Sequence, residues 1–374
     1  MTPLVSIITP SYNQAKFIRY TIESVLAQNY PRLEYIIIDG GSTDGTIDIL
    51  KEYGDRIKWI SEPDKGQTDA INKGFRLASG DIIAWLNSDD TYEPEAVQTA
   101  AEYFLQHPEV ALVYGQGNII DETGEIVSNF PFSQEFNLWK LVNALDYILQ
   151  PTTFFTKRAI MEIGYLDVGL CYCMDWDLWI KIANNYPVGF IRKTLANSRE
   201  YGDTKTSTGG WRRIKEIYRV MISNGSEKLP RGLFLYGLDT LRKQIPNIPF
   251  LGKKMTEFTL FLNRTIDQLL NEMPTIEMDN WVGPKCNIWV PQVINKTDFL
   301  NFRIFIPPEN KDLRVRCFTK REKVLDIVLP EGVHEFSIPK DRRRALSKLL
   351  FRSSNLNLSA ASARKTCFKI LEMY

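Results

Sequence analysis

The sequence predicts an α/β fold with a largely parallel sheet, followed by a helical segment and a C-terminal β-sandwich-like domain. Three observations carry this reading. Short β-branched runs alternate with helix-spaced segments over the first hundred residues, as βα units do. Each run ends in an acid or a glycine-rich turn, which gathers polar groups along one sheet edge. Beyond Pro274 the texture changes to short alternating runs punctuated by Pro, Gly and Asn at intervals of roughly ten residues.

The elements follow in order. Leu4 to Ile8 is an apolar run ending in Thr9-Pro10-Ser11-Tyr12-Asn13, and Phe17, Ile18, Ile22, Val25 and Leu26 then mark one helix face. Leu33 to Ile38 is a second strand, closed by Asp39-Gly40-Gly41-Ser42-Thr43-Asp44-Gly45. A helix over 46–53 leads to a strand from Ile57 to Ile60, which ends in Glu62-Pro63-Asp64-Lys65-Gly66. Asp69 to Leu77 is a helix. Ile82 to Leu86 is five consecutive apolar residues, as in a strand buried on both faces or a buried helix turn. A helix after Pro94, a strand over 110–114 and a hairpin over 117–127 follow, and another helix begins after Cys173. Residues 211–274 read as basic and helical, and 275–374 as β-rich.

Composition bounds the function. The chain has 374 residues, 44% of them hydrophobic, enough for two or three cores. No apolar run approaches the roughly 18 residues needed to span a bilayer. The N-terminal segment lacks a basic region and a cleavage site, and five scattered cysteines give no disulfide framework, so a reducing cytoplasmic setting is expected. Net charge is +1, yet residues 1–204 carry 16 basic against 28 acidic side chains and residues 205–374 carry 30 against 17. No basic-aromatic recognition motif accompanies the basic half, so nucleic acid is not expected as a partner. Its stretch over 211–270 reads either as ordinary amphipathic packing or as peripheral contact with the inner face of a membrane.

The run from Ile82 stops abruptly at Asn87-Ser88-Asp89-Asp90. Carboxylates at the carboxyl end of a parallel strand lie where open α/β sheets bind ligands. Two adjacent acids suit a hard divalent cation shared with phosphate oxygens, or else form a polar turn after a core strand. Here Ser79-Gly80-Asp81 through Asp90 resembles the signature of the family 2 glycosyltransferases, with Asn87-Ser88-Asp89 at the Asp-x-Asp position. The resemblance covers residues 4 to about 205. It implies a GT-A-type, Rossmann-like mixed sheet flanked by helices over 1–210, acting as the catalytic domain.

Residue by residue, the resemblance implies a donor site of Thr9, Pro10 and Tyr12 in the first loop, Asp39 at the base or ribose, Asp64-Lys65-Gly66 in the next loop, then Asp69 and Lys73. Asn87 and Ser88 complete that site, and Asp89 and Asp90 hold Mn²⁺ or Mg²⁺. Lys65, Lys73 and the metal are expected to meet the diphosphate. Met174-Asp175-Trp176-Asp177 matches the segment carrying the general base. Met174 replaces the first acid of the usual pair, so the base is Asp175. Leu178, Trp179 and Ile182 would put Asp175 at the edge of the buried helix face, with Asp177 on the other side beside Lys181 in a surface pair. Leu195 to Thr206 resembles a late segment that usually has His where Tyr201 stands.

The implied activity is inverting transfer of a hexose from a nucleotide-diphosphate donor, by resemblance a UDP-sugar, to a hydroxyl of a glycan or lipid-linked acceptor in polysaccharide or cell-envelope synthesis. Two other readings compete. One is a non-catalytic glycan- or nucleotide-binding protein that kept the fold. The other is a sugar-nucleotide pyrophosphorylase, whose glycine-rich basic N-terminal loop is replaced here by Thr-Pro-Ser-Tyr-Asn.

Overall fold

β1 (Val5–Ser11) is buried along its whole length, and its Val and Ile side chains suit a strand enclosed on both faces. The chain then passes through α1 (Ile18–Leu26) to β2 (Leu33–Asp39), through α2 (Thr46–Glu52) to β3 (Lys58–Ser61), and through α3 (Gln67–Leu77) to β4 (Ile82–Trp85). β2 pairs with β1 and β3 with β2, both in parallel; β4 pairs in parallel with the opposite side of β1. The chain thus winds outward from β1, then returns across it. The carboxyl ends of β1 and β4 therefore flank the crevice where such sheets bind ligands.

The computed structural model describes residues 2–202 and 209–226, several positions between 230 and 240, and strand segments between 281 and 373. It divides into two compact units: Met1–Phe136 with Leu145–Thr240, and Asn137–Ala144 with Leu241–Tyr374.

In the first unit, β5 (Thr91–Tyr92), α4 (Ala96–Gln106), β6 (Leu112–Ile120) and β7 (Ile126–Asn129) come next. After α5 (Leu138–Asn143), which belongs to the second unit, follow β8 (Phe154–Thr156), α6 (Lys157–Ile163), α7 (Met174–Ala183), β9 (Val188–Arg199) and α8 (Gly210–Ser223). The strand order is β3-β2-β1-β4-β8-β6-β9-β5, with β7 on β6. β8 is antiparallel to both β4 and β6, so the sheet is mixed rather than parallel throughout. The strand expected over 110–114 and the first arm of the hairpin expected over 117–127 are one element, β6, which pairs with β9 along its length.

Close packing fixes the site-bearing elements. A Cβ on Gly74 would stand 2.4 Å from Cγ2 of Ile8, so glycine lets α3 lie directly on β1. Phe75, Trp85, Phe155 and Trp179 form an aromatic cluster joining α3, β4, β8 and α7. The Trp85 and Trp179 rings stack at 5.3 Å between centroids. Such pairs add about 0.5–1.5 kcal/mol beyond area burial. β4 runs into Asp89 and α7 carries Asp175, so this stack ties together the elements bearing both acids.

Among the described residues, the second unit contains two four-stranded antiparallel sheets. One has the order β10 (Trp281–Val282), β17 (Phe368–Met373), β12 (Phe299–Ile306), β15 (Gly332–Pro339). The other has the order β11 (Lys285–Trp289), β16 (Lys348–Ser354), β13 (Leu313–Phe318), β14 (Lys323–Leu329). The strand expected at Leu356–Leu358, the tail of the late motif at 203–208, and residues 241–274 of the expected helical region lie outside the described residues.

Candidate active site

The loop after β1 is fastened to the loop after β2. Asn13 adopts a left-handed conformation (φ 52°), its N–H donates to Ser42 Oγ at 2.7 Å, and its Oδ1 accepts from the Thr43 N–H at 2.9 Å. The Ala15 N–H donates to Asp44. Behind these loops sits Asp39, fully buried, whose carboxylate accepts from the Gly41 and Ser42 N–H groups and from the Ser42 and Ser61 hydroxyls. Four internal donors saturate it. Asp39 builds the loop and is not on the wall of the cleft.

That cleft, about 770 Å³, opens over the carboxyl ends of β1 and β4. Of the expected donor residues, Pro10, Tyr12, Asp64, Gly66, Asn87 and Ser88 line it, as do Asp89 and Asp90. Tyr12 is 62% exposed and offers its ring to the cleft mouth. Asp64 Oδ1 accepts the Gly66 N–H at 2.7 Å, and Gly66 has the positive φ (109°) that this turn requires. Ser11 Oγ and Gln14 Oε1 line the same space as buried oxygens without a partner among the described residues, an arrangement that suits a polar ligand.

Besides Asp39, four expected donor residues stand elsewhere. The Thr9 hydroxyl is buried against Tyr35 Oη at 3.0 Å. The Lys65 side chain points to solvent while its N–H donates to Asp69. Lys73 pairs with Glu62 at 2.8 Å and Asp69 at 3.6 Å, and the bond to Glu62 holds its pKa above the usual lysine value. Its charge is therefore already matched, and Asp69 serves that pair and the start of α3.

The cation that the cleft does contain is Arg199, at the end of β9, the one basic residue among its described lining residues. Arg199 is 5% exposed, with its guanidinium over the Phe17 ring at 4.9 Å. Nε donates to the Asp89 carbonyl at 2.8 Å and Nη1 to the Asp121 carbonyl at 2.7 Å. Its side-chain bonds go to carbonyls, while its charge acts on the nearby Asp89 and Asp90 carboxylates. It lies two residues before Tyr201 in the late motif, where sequence reasoning attended to the tyrosine and passed over the arginine.

The acids at the end of β4 differ in character. Asp90 is buried, and its carboxylate accepts from the Arg199 N–H at 2.9 Å and from Asn87 Nδ2 at 3.1 Å. Burial, then the neighbouring charge of Asp89, push its pKa well above the usual carboxylate range. Asp90 thus lines the cleft with its carboxylate already engaged by two protein donors. Asp89 is half-buried, with Oδ2 accepting from the Tyr201 hydroxyl at 3.0 Å. Burial raises the Asp89 pKa as well, and the Tyr201 bond opposes that shift. Burial and then the charge of Asp89 hold the Tyr201 phenol up, so it stays a donor at neutral pH. No group of three His, Cys, Asp or Glu side chains suited to a metal occurs among the described residues. The donor set fits a cation that Asp89 shares with the oxygens of a bound diphosphate, and not a self-sufficient metal centre.

Asp175, in the first turn of α7, lies outside the wall of this cleft, in a second cluster. Its Oδ1 accepts the Trp176 N–H at 2.8 Å. Asp146 is beside it: burial, then the charge of Asp175, raise Asp146 well above the usual range. The Asp146 N–H donates to Tyr236 Oη at 3.2 Å, and the Tyr236 ring contacts Trp176 and Arg213. Asp177 pairs with Lys181 at 2.6 Å, as the i,i+4 spacing suggested, but it is buried and also accepts from Asn224, the C-cap of α8, at 2.9 Å. α8 covers what the helix pattern alone left as surface.

The comparisons fit this geometry. The model of Glycosyl transferase family 2 matches residues 6–164. An uncharacterized glycosyltransferase of Rickettsia typhi is 31% identical over 242 residues, 62% of this chain and 74% of that protein. Chondroitin synthase of Escherichia coli is 34% identical over 204 residues, 54% of this chain but 29% of the synthase, so the chain spans under a third of that enzyme. In structure, S. aureus TarS (residues 1–349, solved with UDP-GlcNAc) is similar at a TM-score of 0.50 and 16% identity, covering 71% of this chain and 81% of that one. At that identity the likeness speaks for the fold.

Proposed function

The chain belongs to glycosyltransferase family 2 and is a glycosyltransferase, and from that premise we propose that it is an inverting enzyme that moves a hexose from a UDP-sugar to a hydroxyl of a glycan or lipid-linked acceptor. The observation that carries this reading is the cleft itself. Its wall combines the Asp89 carboxylate, the Arg199 guanidinium, and oxygens on Ser11 and Gln14 without a partner among the described residues, at the sheet's switch point. Tyr12, Pro10 and Asp64 receive the nucleoside, and Arg199 faces the diphosphate in place of the lysines. A divalent cation, Mn²⁺ or Mg²⁺, held by Asp89 and the donor would offset charge on the departing diphosphate. Asp175 takes the proton from the acceptor hydroxyl as it attacks the anomeric carbon. Polysaccharide synthesis is the setting, supported by the chondroitin synthase relative; the uridine donor is supported by the resemblance and by the ligand of TarS.

A panel of UDP- and GDP-sugars, screened for thermal stabilisation with and without Mn²⁺, tests the reading. One or more UDP-sugars should raise Tm, more so with Mn²⁺. No stabilisation by any nucleotide sugar would reject it and leave a protein that kept the fold without its ligand.

Membrane contact by the basic region belongs to the same proposal. Trp211, Tyr218 and Ile222 are exposed on one face of α8, with Arg212 and Lys215 beside them. No described helix is long and apolar enough to cross a membrane. Contact through α8 would therefore be peripheral, at the level of a lipid-linked acceptor.

A further inference from the structure

α8 grips the loop that leads into α7. The Glu216 carboxylate accepts from three consecutive backbone N–H groups: Cys171 at 2.9 Å to Oε1 and 3.0 Å to Oε2, Tyr172, and Cys173 at 2.7 Å. Cys173 is the N-cap of α7 and makes no side-chain cap of its own. Converging N–H groups favour negative charge, and here α8 supplies it from within the fold. Two more bonds join the same segments: Arg219 Nη2 to Asp167 at 3.1 Å, and Asn224 Nδ2 to Asp177 at 2.9 Å. The clamped loop is separated from Asp175 by Met174 alone.

We propose that Glu216 is a positioning residue for the transfer step: by holding residues 171–173 it sets the start of α7 and with it the place of the Asp175 carboxylate. This inference rests on Asp175 being the general base. Each backbone residue has two soft dihedrals, so a freed loop two residues away can displace that carboxylate by an ångström, enough to cost about 10²-fold in rate. Oε1 receives three of the four bonds, and a glutamine oxygen at that position can still accept them. Alanine cannot.

The test compares Glu216→Ala, Glu216→Gln, Asp175→Asn and the double variant Glu216→Ala/Asp175→Asn, each as the full chain. UDP affinity is read by calorimetry. UDP release is read with whichever of UDP-glucose, UDP-GlcNAc, UDP-GalNAc and UDP-glucuronate the wild type turns over fastest. In Glu216→Ala, kcat should fall about 10- to 100-fold while donor KM and UDP Kd hold. Glu216→Gln should regain most of that rate, and Glu216→Ala should cost nothing further in the Asp175→Asn background. If Glu216→Ala keeps the wild-type kcat while Asp175→Asn loses it, the inference is wrong and the base stands. Wild-type rate in Asp175→Asn removes the base and this inference with it. A rise in KM and Kd matching the fall in kcat, or a further loss in the double variant, would make Glu216 a structural residue only. Should Glu216→Ala not fold, Glu216→Asp carries the same comparison, because its carboxylate stops one methylene short of the three N–H groups.

Discussion

An aspartate at position 87 could not make the bonds that Asn87 makes. Its Nδ2 donates to Asp90 and to Gln150, and its Oδ1 accepts from Gln67. A carboxylate there would have no hydrogen to give Asp90 and would set a third negative charge beside two acids already raised by burial. The departure from Asp-x-Asp thus has a local cause. Tyr201 is the other departure, and its hydroxyl occupies one oxygen of Asp89. Tyr201→Phe should free that oxygen and tighten Mn²⁺ binding in the presence of UDP by about 1 kcal/mol, roughly fivefold by calorimetry. Weaker Mn²⁺ binding in Tyr201→Phe would mean that the hydroxyl itself helps hold the cation. At this scale the sequence revealed which residues reach the strand ends, since an apolar run that stops at acids is visible in one dimension. It did not reveal which of them face the cleft. Asp39 and Lys73 carry the right chemistry, yet the first is held by the Ser61 hydroxyl and the second by Glu62, away from the cleft wall.

The elements of the βα half were legible for the same reason that they are stable: β1, β2 and β4 are runs with few polar interruptions, and α1 and α3 carry one apolar face each. β8 and β9 were not. β8 is three residues long, and β9 mixes buried with exposed positions in no fixed period. Their identity as strands comes from pairing with β4 and β6, not from local pattern. α8 shows the opposite case, a strong helical pattern whose partners could not be read. Its Ile214, Ile217, Val220 and Met221 are buried, while Trp211, Tyr218 and Ile222 remain outside. If that outer face meets an anionic bilayer, vesicles rich in phosphatidylserine should bind the protein at low salt and release it near 0.5 M, where screening shortens to about 4 Å. Replacing Arg212 and Lys215 by Glu should abolish the binding. Failure of the unaltered protein to float with such vesicles at low salt would end the membrane reading.

On the scale of the whole molecule, the chain divides into two compact units, Met1–Phe136 with Leu145–Thr240 and Asn137–Ala144 with Leu241–Tyr374. The first of these includes α8. We propose that residues 275–374 form a sandwich able to fold alone. That fragment should give a β-type circular dichroism spectrum and a cooperative urea transition. An unfolded spectrum would show that it depends on the rest of the chain. Donor binding remains the claim on which the other roles depend. Its most direct measurement is calorimetric titration of UDP into the full-length protein and into Asp89→Asn, each with Mn²⁺ and with chelator. Binding to the unaltered protein should strengthen at least tenfold with Mn²⁺, about 1.4 kcal/mol, and Asp89→Asn should lose that gain. Equal UDP affinity in all four titrations would contradict the account.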